Sequence, residues 1–314
     1  MNDLRIVFMG TPAFAVASLE ALLRAKMNVV AVVTAPDKPA GRGRNLKQSA
    51  VKEYALKRNL PVLQPNNLKA DHFVQELINL KVNLQIVVAF RMLPKVVWSL
   101  PNYGTFNLHA SLLPHYRGAA PINWAIINGE KKTGVTTFFL NENIDEGAII
   151  LQQEVDIDKN ETAGDLHDKL MLTGSKLVIE TVQLIASEKV FPKKQSNESF
   201  KLAPKLTSEN CRIDWSQDVY NVFNQVRGLS PYPLAHTLLV NGDEQIKTLI
   251  SSCTPFELEH IQNFGSILIK QKEIQVFCKN GFIKIDQLKL AGKKLMDAKS
   301  LLNGYTILDG AHFE

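Results

Sequence analysis

The sequence predicts an α/β protein, with a mostly parallel sheet covered by helices on both faces and a small antiparallel barrel after it. Three observations predict this. Short continuous apolar runs at 4–9, 29–33 and 84–90 alternate with longer stretches of helical period, the pattern of strands buried on both faces. Residues 191–208 then lose all periodicity in favour of lysine, serine, asparagine and proline. Beyond 235 the chain changes to short strand-like runs punctuated by Asn241-Gly242 and Asn280-Gly281, both hairpin signals. A chain of 314 residues is long enough for two domains, each with its own core.

The first strand, residues 4–9, ends at Gly10. Thr11 and Pro12 have the character of a helix N-cap and first helical residue, opening a helix to about Lys26. Residues 29–33 give a second strand, and helices near 46–58 and 69–80 flank a short strand at 61–63. Another buried strand follows at 84–90, then a short helix from Pro94 and a strand at 104–108. Residues 134–140 are strand-like. Residues 162–187 read as one long helix with Thr162 as its N-cap. Such an order makes a Rossmann-like sheet, whose sites lie beyond the carboxyl ends of its strands. The ends of the 84–90 strand and of the strand carrying Asn107 both qualify. Gly10 stands outside any G-x-G-x-x-G spacing, which argues against a nicotinamide cofactor.

The runs at 235–240, 246–251, 266–269, 274–277 and 282–288 complete a small antiparallel barrel. The expected boundaries are therefore 1–190 for the sheet domain, 191–208 for a linker and 209–314 for the barrel. No internal repeat is present.

The 45% hydrophobic and 21% charged fractions are those of an ordinary globular protein. No apolar stretch approaches the roughly 20 residues that span a bilayer. The N-terminus enters a strand at once, with no signal or transit pattern, so a cytoplasmic, bacterial location is expected. Three widely spaced cysteines lack metal-ligand spacing and read as core thiols in a reducing compartment. The net charge of +5 is small, but residues 191–208 hold four lysines against one glutamate. Lys38, Arg42, Arg44 and Lys47 crowd one glycine-containing loop, which composition makes flexible. A positive face built from these segments and the last strands suits a phosphate backbone; a solvated lysine-rich surface is the plainer alternative.

Asn107-Leu108-His109, running into Ala110-Ser111-Leu112-Leu113-Pro114-His115-Tyr116-Arg117-Gly118, is the segment with chemistry in it. Side chains alternate along a strand, so Asn107 and His109 point the same way. The amide suits donation to an oxyanion, and the imidazole suits proton donation or transfer. An acidic partner is available in Asn141-Glu142-Asn143-Ile144-Asp145-Glu146-Gly147. An isolated Asn-x-His is more often a packed pair satisfied by turn backbone, and an isolated Asp-x-Gly a turn. The long signature and the acidic loop together turn the reading to catalysis.

Asn107-x-His109, Ser111-Leu112-Leu113-Pro114, Tyr116-Arg117-Gly118-Ala119-Ala120-Pro121-Ile122 and Asp145-x-Gly147 resemble the folate-dependent formyltransferases. Phe8-Met9-Gly10-Thr11-Pro12, the loop from Pro36 to Gly43 and Ala291-Gly292-Lys293-Lys294-Leu295-Met296 extend the resemblance over nearly the whole chain. The resemblance implies transfer of a formyl group from 10-formyltetrahydrofolate to the α-amine of methionine esterified to initiator tRNA. Asn107 and protonated His109 would donate to the formyl oxygen. Asp145 would hold the imidazolium and accept the amine proton, with no metal and no covalent intermediate.

Folate contacts carried over in the same way are Phe90, Met92 and Leu93, the turn Ser111, Leu112, Leu113 and Pro114, and Asn141. Arg91 stands where the family often has glycine, leaving open whether it faces solvent or the folate tail. Arg42 is the implied chief contact to the acceptor end of the tRNA, with Lys38 and Arg44 beside it. The barrel is implied to be oligonucleotide-binding-like (OB-like), while Arg117, within Tyr116-Arg117-Gly118, reads as a structural residue that pins the catalytic turn. A monomer is expected. The nearest rivals are formyl transfer to a nucleotide-sugar amine or a purine precursor, which share the catalytic triplet. An RNA-binding protein without activity and a formate-releasing hydrolase are further alternatives.

Overall fold

Five apolar runs set the order of the first half. β1 (Ile6–Gly10), buried throughout, turns at Gly10 into α1 (Ala13–Arg24). Pro12 sits at the N-cap position with no side-chain cap, one residue later than the Thr11-Pro12 pattern suggested. The helix closes at Ala25, where Lys26 adopts φ 54, and leads into β2 (Val29–Val33). The computed structural model describes residues 4–40, 45–196 and 200–314, without the side chains of Ala40 and Asn45. The basic loop contains a small hairpin, β3 (Lys38–Ala40) with β4 (Asn45–Lys47), before α2 (Ala50–Lys57). Ser49 caps α2 by accepting from Lys52 N at 3.0 Å, which places its start later than the expected 46.

Then come β5 (Val62–Leu63), α3 (Asp71–Asn79), β6 (Leu84–Val88), α4 (Lys95–Trp98) and β7 (Thr105–His109). β6 stops short of 90 because Ala89 takes φ 47, outside the extended region. β8 (Arg117–Gly118), α5 (Pro121–Ile127), β9 (Lys132–Phe139), β10 (Ile149–Asp156) and α6 (Ala163–Ala186) follow. Thr162 caps α6 as expected. Its Oγ1 accepts from Asp165 N at 3.2 Å, and its own N–H donates to Asp165 Oδ2 at 3.0 Å.

The sheet order is β10-β9-β7-β6-β1-β2-β5. β5, β2, β1, β6 and β7 are parallel, and β9 runs antiparallel to β7, pairing Phe106 with Phe139 and His109 with Thr136. The strand order reverses between β1 and β6, so a crevice opens beyond their carboxyl ends. On one face Phe73 and Leu77 of α3 and Val97 of α4 pack on Val7, Met9, Val33 and Val87. On the other, α6 lies so close to β7 that a Cβ on Gly174 would meet Leu108 Cδ2 at 2.7 Å.

The second half is β11 (Leu202–Ala203), α7 (Val219–Leu229), β12 (Ala235–Asn241), β13 (Glu244–Glu257), β14 (Ile267–Lys270), β15 (Glu273–Cys278), β16 (Gly281–Leu290), β17 (Met296–Asp297), α8 (Ala298–Leu302) and β18 (His312–Phe313). Its sheet runs β14-β15-β16-β13-β12-β18. A bridge between Ser266, just before β14, and His312 of β18 closes that order into the expected OB-like barrel. β13 extends beyond the run at 246–251 because bulges between Ile250 and Cys253 bend it from β12 on to β16. Val222, Phe223, Val226 and Leu229 of α7 join the barrel interior.

The chain packs as two compact units, Met1–Gly118 with Thr133–Asp156 and His167–Leu202, and Ala119–Lys132 with Ile157–Leu166 and Ala203–Glu314. The barrel unit thus takes in α5, whose Asn123 Nδ2 donates to Gly228 O at 2.8 Å. Cys211, Cys253 and Cys278 are free, buried thiols. Burial pushes the Cys278 thiol up to about 12, which keeps it inert at neutral pH.

Both Asn-Gly hairpins form with two-residue turns, Gly242-Asp243 and Lys279-Asn280. The second needs Gly281 for space, since a Cβ there would meet Phe256 O at 2.1 Å. Gly281→Ala should therefore cost at least about 2 kcal/mol. Gly304→Ala, with nothing within 4 Å of its Cβ, should be close to neutral in the same thermal-unfolding series. Equal melting temperatures for the two variants would contradict this packing.

Candidate active site

The site is built on the face of β7 turned away from α6. Leu108 is buried towards α6, so strand alternation puts Asn107 and His109 together on the opposite face. His109 is only 7% exposed. One of its nitrogens, Nε2, lies 2.8 Å from the carbonyl oxygen of Tyr116. A carbonyl only accepts, so Nε2 carries the hydrogen and the free nitrogen is Nδ1. Nδ1 faces Asp145 Oδ2 at 3.8 Å. That is too long for a hydrogen bond and short enough for strong attraction when the ring is charged. Among the described residues, the Asn107 side-chain amide has no hydrogen-bond partner. An unspent amide, one free imidazole nitrogen and a carboxylate therefore converge.

The turn that carries the Tyr116 carbonyl is tightly tied. Ser111 Oγ donates to His115 O at 2.7 Å, and Thr136 Oγ1 donates to Ser111 O at 2.6 Å. Leu113 N donates to Thr136 Oγ1 at 3.2 Å, and Gln152 Nε2 to Leu113 O at 2.9 Å. Tyr116 itself adopts φ 61, with its N–H donating to Lys201 O at 2.5 Å. Asp145 is held just as closely. It has φ 54, and its Oδ2 accepts from Gly118 N at 3.0 Å. Gly147 is forced, because a Cβ there would meet Phe139 O at 1.6 Å. The Asp-x-Gly spacing is thus a packing requirement of the loop that carries the carboxylate.

Of the residues expected around a folate, Leu93 is buried with Phe90 and Leu140 against the α3–α4 side of the sheet, next to Asn141. Met92 is 70% exposed. Lys95 Nζ also meets Glu142 Oε1 at 2.5 Å, but both side chains are more than two-thirds exposed. A pair this exposed is screened by solvent, so the apolar contact holds these segments together. Ser111 and Leu113 are buried and Leu112 and Pro114 partly so. The Ser111 hydroxyl is spent within the turn, and the carbonyls of Ser111, Leu112 and Leu113 and the Leu113 N–H are spent too. The Arg91 guanidinium donates to Pro65 O at 2.7 Å and Asn66 O at 3.2 Å and lies 5.3 Å from the Phe90 ring centroid.

Lys38 is exposed on the β3–β4 hairpin and makes no ion pair with the triplet. Arg42 and Arg44 lie outside the described residues. Among the described residues no group of three His, Cys, Asp or Glu is placed to hold a metal ion. Arg117 pins the turn as expected, through a partner the sequence did not reveal, the buried Gln195. A lone glutamine in a lysine- and serine-rich segment gives no signal of such a role.

A family model described as formyl transferase matches residues 4–182, and one described as formyl transferase, C-terminal domain, matches 205–306. The chain belongs to the formyl transferase family. It is 54% identical over 312 residues to the methionyl-tRNA formyltransferase of Flavobacterium johnsoniae, covering 99% of each chain. Against the methionyl-tRNA formyltransferase of Bacteroides thetaiotaomicron it is 49% identical over 315 residues, covering 98% of each. An N-formyltransferase from Helicobacter canadensis, solved with folinic acid and dTDP-3-aminofucose, is 22% identical with a TM-score of 0.65. That likeness covers 90% of this chain and 98% of the other, and it concerns the fold.

At the foot of the basic hairpin, Asp37 Oδ2 meets Lys52 Nζ at 2.6 Å and its Oδ1 accepts from Gln64 Nε2 at 2.8 Å. The hydrogen bond from Lys52, then that from Gln64, holds the Asp37 carboxyl below its ordinary 3.8. A carboxyl depressed on folding stabilises fully above its unfolded value, and that contribution is lost as pH falls through the folded one. The gap in melting temperature between the wild type and Asp37→Asn should therefore be constant above about pH 4 and close below it. A gap unchanged in strong acid would show that the ion pair contributes nothing.

Proposed function

We propose that the protein transfers the formyl group of 10-formyltetrahydrofolate to the α-amine of methionine esterified to initiator tRNA, giving N-formylmethionyl-tRNA. The observation that carries this reading is the end-to-end match to two proteins named methionyl-tRNA formyltransferase, barrel included, at about half identity. The residues present fit the formyl donor: an unpartnered amide, a free imidazole nitrogen and a carboxylate stand together. The folate supplies the one-carbon group.

In this reading the chain's own groups do the following. The Asn107 amide donates to the formyl oxygen as negative charge gathers on it. His109 donates from Nδ1, which requires the doubly protonated ring because Nε2–H is committed to Tyr116 O. Asp145, with Oδ2 at 3.8 Å, stabilises that cation and takes the proton the attacking amine loses, directly or through water. As the new C–N bond forms and the bond to the folate nitrogen breaks, the departing nitrogen recovers a proton and the enzyme returns to its starting state. A preformed oxyanion donor of this kind is worth about 3–4 kcal/mol, so Asn107→Ala should lower kcat by about 10²–10³.

The division of labour we propose follows the sequence boundaries: chemistry in 1–190, connection through 191–208, and tRNA binding by the barrel of 209–314. Lys38, Arg42 and Arg44 would meet the acceptor end, and Phe90, Met92, Leu93, the 111–114 turn and Asn141 would surround the pterin. Among the described residues no helix is long and apolar enough to cross a membrane. We take the working form to be a cytoplasmic monomer.

The test is formyl transfer from 10-formyltetrahydrofolate to methionine-charged initiator tRNA, methionine-charged elongator tRNA and amino-sugar nucleotides, with wild type and His109→Asn. Transfer to initiator tRNA alone, abolished in the variant, supports the reading. Transfer to an amino sugar would keep the mechanism and overturn the substrate.

A further inference from the structure

Gln195 comes from the aperiodic segment between the sheet and the barrel, yet it is 5% exposed and fully bonded. Its Oε1 accepts from Arg117 Nη2 at 2.7 Å and Nε at 3.0 Å. Its Nε2 donates to Asp145 O at 2.8 Å and Gly147 O at 2.9 Å. The partners fix the amide's orientation. Guanidinium nitrogens can only donate and carbonyls can only accept, so a flipped amide would oppose all four contacts. One side chain therefore ties the residue after Tyr116, whose carbonyl anchors His109, to the Asp145–Gly147 end of the loop that presents the carboxylate. The Phe200 ring lies 4.5 Å from the Arg117 guanidinium, and Lys201 O receives the Tyr116 N–H. Gln195, Phe200 and Lys201 are thus laid against the catalytic turn.

We propose that Gln195 is a positioning residue for formyl transfer, setting the distance between the Asp145 carboxylate and His109 Nδ1. It touches no reacting atom. It acts through the Asp145–Gly147 backbone on one side and Arg117 on the other, and the proposal rests on the roles assigned above to His109 and Asp145. Asp145 holds a positive φ and is tied to Gly118 by one further bond, and Arg117 Nη1, which Gln195 fixes, also donates to Glu146 Oε1 of the same loop at 3.2 Å. A shift of a single ångström in such a pair is enough to cost about 10²-fold in rate.

The decisive variant is Gln195→Glu, which keeps shape and the acceptor for Arg117 but replaces both donors with a carboxylate oxygen facing two carbonyls. We expect kcat to fall by about 10–100-fold with KM for both substrates unchanged, because binding surfaces are untouched. Histidine-labelled protein should show the His109 ring resonances moved and those of the other six histidines in place. Gln195→Met, which removes donor and acceptor alike, should repeat the kcat loss and lower the melting temperature by stranding Arg117. Wild-type kcat and an unmoved His109 signal in Gln195→Glu would overturn the proposal. So would a rate loss without any movement of the His109 signal. Failure of the wild type to formylate methionyl-tRNA would strike the functional reading instead, and the His109 resonance would still judge Gln195.

Discussion

The arrangement turns on one hydrogen bond, from His109 Nε2–H to the carbonyl of Tyr116 at 2.8 Å. It removes one imidazole nitrogen from the chemistry and aims the other at Asp145. A ring free to flip would present either nitrogen, and the carboxylate would have no fixed partner. Much of the surrounding bonding maintains this carbonyl. Tyr116 is held at φ 61, the 111–115 turn is closed by the Ser111 hydroxyl, and Thr136 and Gln152 tie that turn to the neighbouring strands. Buried bonds of this kind gain modestly when made and cost about 1–3 kcal/mol when one partner is left unsatisfied, which favours a single geometry.

The strand, the turn and the acidic loop divide the work according to their stiffness. β7 lies inside the sheet and fixes where Asn107 and His109 start. The 140–147 loop packs through Leu140 at its start and is exposed from Asn141 to Ile144. It is placed by steric necessity at Gly147 and by hydrogen bonds to Gly118 and Gln195. A loop set by a few directional bonds reproduces a distance well and tolerates little change in the residues that make them.

Much of this was legible in the sequence, for identifiable reasons. Buried parallel strands print as apolar runs, so β1, β2, β6 and β7 were visible, as were the barrel strands and both Asn-Gly turns. The triplet was visible because alternation in a strand is strict and because the 107–118 signature is long. α5 and α7 were not seen, since their apolar faces are short and match each other in space rather than along the chain. β13 looked shorter than it is because its bulges interrupt the period of two. Pro12 displaced Thr11 as the cap, a one-residue matter that propensity does not resolve. Gln195 and the Tyr116 carbonyl left no mark at all. One is an ordinary residue in a polar segment, and the other is backbone whose role depends on φ rather than on side-chain identity.

The most direct measurement is the nitrogen-15 NMR spectrum of histidine-labelled protein followed across pH, with His109 identified by its loss in His109→Asn. The account predicts that Nε2 of His109 keeps its hydrogen in both charge states and that Nδ1 alone gains and loses a proton. A neutral form with hydrogen on Nδ1 and none on Nε2 would mean that the Tyr116 carbonyl does not hold the ring, and the proposed geometry of catalysis would fall with it.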